Sequence, residues 1–232
     1  MTDAELVAAA ALANRALGAA GQADMVWGHA SLRDPEGRGV WMKSSGLSFE
    51  EVRDDRVVLV SDDGEVLAGS GPRHIEYPIH TRVMAARSDV GCVVHTHSPS
   101  ATAFAALDVP LRAISHDGVE FAEPELPRFT LSGSLIRDRA LGDALAETIG
   151  DGVGCLIPQH GLVTVGPDAA AAVMRAVLLD RACRAQLAAM AAGTIRRWSD
   201  GAELELKRAE VWPPSQLQAG YDYLCRLTAA SS

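Results

Sequence analysis

The sequence has no basic run to balance its acids: 21 Lys and Arg stand against 30 Asp and Glu in 232 residues, a formal net charge of −9. That imbalance weighs against a nucleic-acid surface. No segment is apolar enough to span a bilayer, because the run over residues 6–12 is soon broken by Asn14 and Arg15. The opening Met1-Thr2-Asp3-Ala4-Glu5 is acidic where a secretory signal needs positive charge. The cysteines, Cys92, Cys155, Cys183 and Cys225, form no Cys-x-x-Cys pair and sit in apolar patterns. Free cysteine packs there as a small hydrophobe, and a reducing cytoplasm suits it. The expectation is a cytoplasmic protein with no membrane and no nucleic-acid partner.

What is present is an ordinary globular balance, 48% hydrophobic and 22% charged, in a chain long enough to bury a substantial core. One domain over residues 1–232 is expected. Thr2 and Glu5 form a capping box for an Ala/Leu-rich helix that runs to about Ala20 and stops at Gly21. Strand-like runs at 28–33 and 39–43 flank a turn at Asp34-Pro35-Glu36-Gly37. Ser48-Phe49-Glu50-Glu51 is a second capping box that would open a short helix. Runs at 57–60 and 65–68 flank Asp62-Asp63-Gly64, a hairpin signal.

Pro78 suits the first turn of a helix ending near Arg87, and Ser98-Pro99-Ser100 starts another through Leu107. Residues 108–130 carry scattered Pro and Gly without a regular pattern. Ser134 would cap a helix ending at Gly150. Residues 155–158 read as a strand partnered by 162–165, and Asp168 caps a long helix to about Ala192. Trp212-Pro213-Pro214 breaks the chain before a last helix with Tyr221, Tyr223 and Arg226. Short strands joined by hairpins, with about five helices, suggest a largely antiparallel sheet covered by helices.

The chemistry concentrates in Gly91-Cys92-Val93-Val94-His95-Thr96-His97. In a strand, alternate side chains share a face, which sets His95 and His97 side by side with Cα atoms roughly 6.6 Å apart. Two imidazoles at that spacing can converge on one divalent ion at about 2.1 Å, although a lone His-x-His is more often a satisfied strand pair. His160 lies between a strand end and Gly161, which permits close backbone approach, and Glu76 lies upstream. Three histidines with an open position form a catalytic ligand set, beside which Glu76 could bind the ion or carry a proton.

These segments, Glu76-Tyr77-Pro78-Ile79-His80, Val93-Val94-His95-Thr96-His97-Ser98-Pro99 and Gln159-His160-Gly161, resemble the class II aldolase/adducin family. The resemblance implies an α/β fold of three layers, α/β/α, with a central mainly antiparallel sheet. It implies one divalent metal ion per subunit, Zn²⁺ or Mn²⁺ with Fe²⁺ or Co²⁺ as other options, on His95, His97 and His160. It makes Glu76 the catalytic carboxylate. It also implies a homotetramer in which the C-terminal segment, about residues 212–232, contacts a neighbouring subunit and Tyr221 joins its catalytic site.

Departures from the sugar-phosphate members matter as much. Gly28-His29 stands where they carry Gly-Asn, and His74-Ile75 where they carry paired serines. Of their phosphate-binding groups only the Ser44-Ser45-Gly46 loop survives, and an isoleucine donates no hydrogen bond. His29, Arg33, Lys43, Arg73 and His74 could instead hold a carboxylate. Gly28-His29 with Arg33 resembles a decarboxylase branch acting on hydroxylated aromatic diacids, and His116 falls where the aldolases place a substrate tyrosine.

The reading is a metal-dependent carbon–carbon lyase that decarboxylates a non-phosphorylated hydroxy-acid through a metal-stabilised enolate. The alternatives are an aldolase, dehydratase or epimerase acting on a ketose phosphate, or a non-catalytic adducin-like binding module.

Overall fold

The computed structural model describes residues 1–230. Seven α-helices and a seven-stranded sheet run through them: α1 (Asp3–Ala19), β1 (His29–Arg33), β2 (Val40–Lys43), β3 (Val57–Val60), β4 (Val66–Ala68), α2 (Tyr77–Ala86), β5 (Cys92–Thr96), α3 (Pro99–Ala105), α4 (Arg139–Ile149), β6 (Gly154–Ile157), β7 (Gly161–Gly166), α5 (Ala169–Ala192), α6 (Gly201–Val211) and α7 (Pro214–Ala230). The strand order is β4-β3-β2-β1-β5-β7-β6, every pairing antiparallel.

Apart from the exposed edge strand β4, the strands are buried on both faces, so their residues divide by the period of two between two cores. Ala30, Leu32, Trp41, Val57, Leu59, Cys92 and Val94 pack against α1, α3, α5 and α7. Val40, Met42, Val58, Val60, Val93, Val163 and Val165 pack against α2 and α4. This is the three-layer α/β/α arrangement with an antiparallel sheet. No helix among the described residues is long and apolar enough to cross a membrane.

The first capping box forms as written: Glu5 N–H donates to Thr2 Oγ1 at 3.3 Å, and Thr2 N–H to Glu5 Oε2 at 2.7 Å. The second does not open a helix. Ser48 N–H reaches Glu51 Oε2 at 2.8 Å, but the segment stays a turn and a short 3₁₀ helix follows at Asp54–Arg56. Phe49 and Val52 are drawn into the core on either side of the turn, which leaves too few residues to propagate a helix.

Ser134 does not cap α4. Asp138 does, accepting from Leu141 N–H at 2.9 Å, and the residues before it stay irregular along a cleft. Helix α6 was not expected from the sequence. Its segment is mostly polar and buries one residue, Leu204, so it shows no apolar stripe.

Candidate metal centre

The centre forms where the ends of β1, β5 and β7 meet the start of α2. His29 pairs with His95 across β1 and β5, so both face the α2 side with Val93. His97 follows β5 by one residue, and its Nε2 lies 3.0 Å from Nε2 of His95.

His160 arrives from the β6–β7 connection, a tight turn closed by its own N–H on the Ile157 carbonyl at 3.0 Å. Gln159 holds φ +66° there, a left-handed conformation that costs a non-glycine residue about 1–2 kcal/mol. Gly161 fits because a Cβ at that position would stand 2.2 Å from the Thr96 carbonyl oxygen. Glu76 stands just before α2, with Oε1 accepting from Ile136 N–H at 2.8 Å. Its Oε2 lies 3.5 Å from Nε2 of His160 and 3.8 Å from Nε2 of His95. One donor atom from each of these four residues falls within 4.8 Å of all the others.

Proton positions show what the cluster lacks. Nδ1 of His95 faces the Leu162 carbonyl at 2.9 Å and Nδ1 of His97 faces Asp24 Oδ2 at 2.7 Å, so each neutral ring carries its proton on Nδ1. Both Nε2 atoms then present lone pairs to one another. Neither ring nitrogen of His160 has a protein partner although both are buried. Burial holds His95 well below the ordinary histidine range, against the pull of Glu76. Burial alone would raise the Glu76 carboxyl, but the nearby His160 and His95 rings and the Ile136 N–H bring it down to about 2. Three imidazole nitrogens and a carboxylate gathered at one point fit a divalent cation.

Beside them opens a cleft of about 720 Å³, lined by Asp24, Trp27, His29, Ser45, Arg73, His74, Ile75, Leu135 and others. His29 and His74 reach it, their rings 4.4 Å apart. Arg73 lies in its wall with the guanidinium over Tyr77 and Nε donating to the Gly64 carbonyl at 2.6 Å. Ser45 lines the cleft, and Gly46 turns the loop at φ +86°. Ser44 is buried, its hydroxyl donating to the Ser70 carbonyl at 3.3 Å.

Four expected site residues lie elsewhere. Arg33 donates to the carbonyls of Met84, Arg87 and Val90, closing the C-terminal end of α2 instead of reaching a ligand. The Lys43 ammonium is buried on the carbonyls of Val26 and Leu47, and burial lowers it to about 8. His116 lines a separate cleft with Trp198 and Lys207. Tyr221 is packed in the core on the opposite face of the sheet, where α7 turns its apolar side inward.

The sequence reading missed three polar residues. Asp24 bonds His97 from a loop. His80 and Ser31 form a buried chain with His29: Nδ1 of His29 meets Nε2 of His80 at 2.6 Å, and Nδ1 of His80 meets Ser31 Oγ at 2.7 Å. His80 could have been suspected, since it lies one helical turn beyond Glu76.

Fold and site together define a three-layer α/β protein built around a Glu/His/His/His cluster that could hold a metal ion. Residues 8–187 match the class II aldolase and adducin N-terminal domain, and the chain belongs to that family, whose enzymes are metal-dependent lyases. It is 32% identical over 213 residues to a 3,4-dihydroxyphthalate decarboxylase of Arthrobacter keyseri, covering 83% of this chain and 82% of the relative. It is 30% identical over 181 residues to an L-ribulose-5-phosphate 4-epimerase of Salmonella paratyphi B, covering 74% and 79%. The solved L-fuculose 1-phosphate aldolase of Glaciozyma antarctica shares the fold, with TM-score 0.85, 24% identity and coverage of 97% and 88%.

Proposed function

We propose that this protein decarboxylates a hydroxylated, non-phosphorylated carboxylic acid, most naturally an aromatic one, in the cleft beside His95, His97 and His160. The observation that carries this reading is Ile75. It sits half exposed in the cleft, immediately before Glu76, where sugar-phosphate enzymes of the family need a phosphate-binding side chain. The other anion donors are also weak there. His74 is lowered to about 3 by burial and so stays neutral, and Lys43 is turned onto backbone carbonyls. A phosphate dianion needs several convergent charged donors, whereas one carboxylate can be held by fewer. The decarboxylase relative supports the same choice.

A divalent ion on the three histidines, Zn²⁺ or Mn²⁺ by donor type, would supply Lewis-acid polarisation of a substrate oxygen. Glu76 enters ionised with Oε2 free. It takes a proton from the substrate hydroxyl as the bond to the departing carboxylate breaks. The bond pair remains on carbon, CO₂ leaves, and Glu76 returns its proton to that carbon. Ile75, Trp27 and Leu135 form an apolar rim that sheds water from the leaving carboxylate. Residues 1–232 would act as one domain, and the assembly would be a cytoplasmic homotetramer.

The experiment compares kcat/KM for CO₂ release from hydroxylated aromatic diacids with cleavage or epimerisation of fuculose and ribulose phosphates. Turnover of a diacid with none of the sugar phosphates is expected. The reverse result establishes the aldolase or epimerase reading instead.

A further inference from the structure

Three consecutive residues at the end of β5 are each tied to a different group outside the strand. The Thr96 hydroxyl donates to Gln22 Oε1 at 3.1 Å, His97 Nδ1 donates to Asp24 Oδ2 at 2.7 Å, and the Ser98 hydroxyl donates to Asp180 Oδ1. Gln22 Nε2 donates to the other Asp180 oxygen at 3.3 Å. The contacts close a ring from the strand through the 22–24 segment to α5 and back, with His97 inside it. Gln22, Thr96 and Ser98 are buried, which keeps water from competing for these bonds.

The residue after Asp24 adds a second sign of constraint. Met25 has φ +47°, a left-handed conformation that a branchless glycine would adopt more easily. Such strain persists only where surrounding contacts over-determine the backbone. Asp24 is therefore flanked on both sides: Gln22 is anchored upstream, and downstream the Asp24 carbonyl accepts from Trp27 N–H at 3.1 Å, closing the turn at the exposed Met25.

We propose that Asp24, braced through Gln22 and Asp180, is a positioning residue that aims His97 Nε2 at the metal point and raises the affinity of the site. The inference rests on the metal reading above. A carboxylate that accepts the Nδ1 proton fixes the imidazole tautomer and makes Nε2 a stronger donor to a cation. His95 has only the neutral Leu162 carbonyl for that purpose, so Asp24 supplies the charged partner. Loss of such a partner typically weakens metal binding by about 10–100-fold.

The test is Zn²⁺ affinity by chelator competition on the full chain, with thermal stability recorded alongside. His97→Ala calibrates it: wild-type affinity in that variant sinks the metal reading itself. With His97 required, Asp24→Ala should bind Zn²⁺ about 10–100-fold more weakly. Asp24→Asn should fall between, because its amide oxygen still accepts the proton without the charge. Asp180→Asn should lose less than Asp24→Ala. Asp34→Asn is the control, a tightly bonded carboxylate in the β1–β2 turn that should lower stability and leave Zn²⁺ affinity alone. Asp24→Ala within twofold of wild type overturns the proposal. If that variant does not fold, Asp24→Asn within twofold does so. An equal loss of affinity in Asp34→Asn also overturns it, by showing that general destabilisation is enough.

Discussion

Six of the seven histidines lie in one contiguous region, and they divide into two trios that behave oppositely. His95, His97 and His160 leave Nε2 unprotonated or unpartnered toward a common point. His29 and His80 bond one another and end on Ser31, with the His74 ring tilted against His29 at 4.4 Å. The rings of His29 and His95 are 5.2 Å apart, so the local medium is shared. What differs is how the ring nitrogens are used. At His95 and His97 a carbonyl or carboxylate meets Nδ1 and leaves Nε2 facing the common point, and at His160 neither nitrogen is taken. At His29 and His80 a second imidazole and the Ser31 hydroxyl occupy the nitrogens instead. A histidine's role here follows from its partner, not from its burial.

The largest expected effect lies at the first trio. His160→Ala removes one of three nitrogens, and two neutral imidazoles with a carboxylate hold a divalent ion poorly against water. Metal content of the purified variant should fall to a small fraction of wild type, with activity lost in parallel. His80→Ala should keep its metal. Equal loss in both variants would erase the distinction between the trios.

Glu76 tests the same boundary from the carboxylate side. Glu76→Gln preserves shape and the Ile136 contact but removes the proton acceptor, so kcat should drop by about 10²–10⁴-fold. Activity within a few-fold of wild type would reduce Glu76 to a structural neighbour of the ligands.

The convergence of His95, His97 and His160 could be read from sequence because strand alternation is local. His95 and His97 declare a shared face by spacing alone, and Gly161 announces a close approach that the Thr96 carbonyl indeed makes. Asp24 could not be read. Its bond to His97 spans 73 residues and depends on a strained loop with no sequence signature. The bonds of Arg33 were hidden for a related reason: its partners are backbone carbonyls, which every residue carries. Tyr221 was assigned by resemblance, and the apolar stripe of α7 carries it into the core. The α5 and β-hairpin boundaries were clear because Asp168, Asp62-Asp63-Gly64 and the prolines act within a few residues. The 108–130 segment, mostly turns, offered no period to read.

The second trio should show itself in acid. Burial lowers His80 to about 3, while the unfolded chain titrates near 6.5. Between those values the unfolded state binds more protons, so stability falls as pH drops through that window, by up to about 1.4 kcal/mol per pH unit for each such group. His80→Gln should therefore show a shallower acid slope in denaturant unfolding between pH 6 and 4, by about that amount. An unchanged slope would mean that His80 is protonated in the fold, and the neutral-chain description would fail.

Ser31→Ala should have the smallest effect and is the sharpest test of separation. Ser31 is fully buried on β1, and its hydroxyl meets Nδ1 of His80 at 2.7 Å. Removing it leaves a buried imidazole nitrogen without its partner, which costs about 1–3 kcal/mol. The bond between His29 and His80 stays intact, and neither His95 nor His97 depends on Ser31 for its Nδ1 partner. Unfolding should thus register a modest loss while Zn²⁺ affinity stays at the wild-type value. A drop in affinity comparable to that of His160→Ala would mean that the bonded chain, not the individual Nδ1 partners, sets the ligand geometry. The six histidines would then form a single cooperative unit.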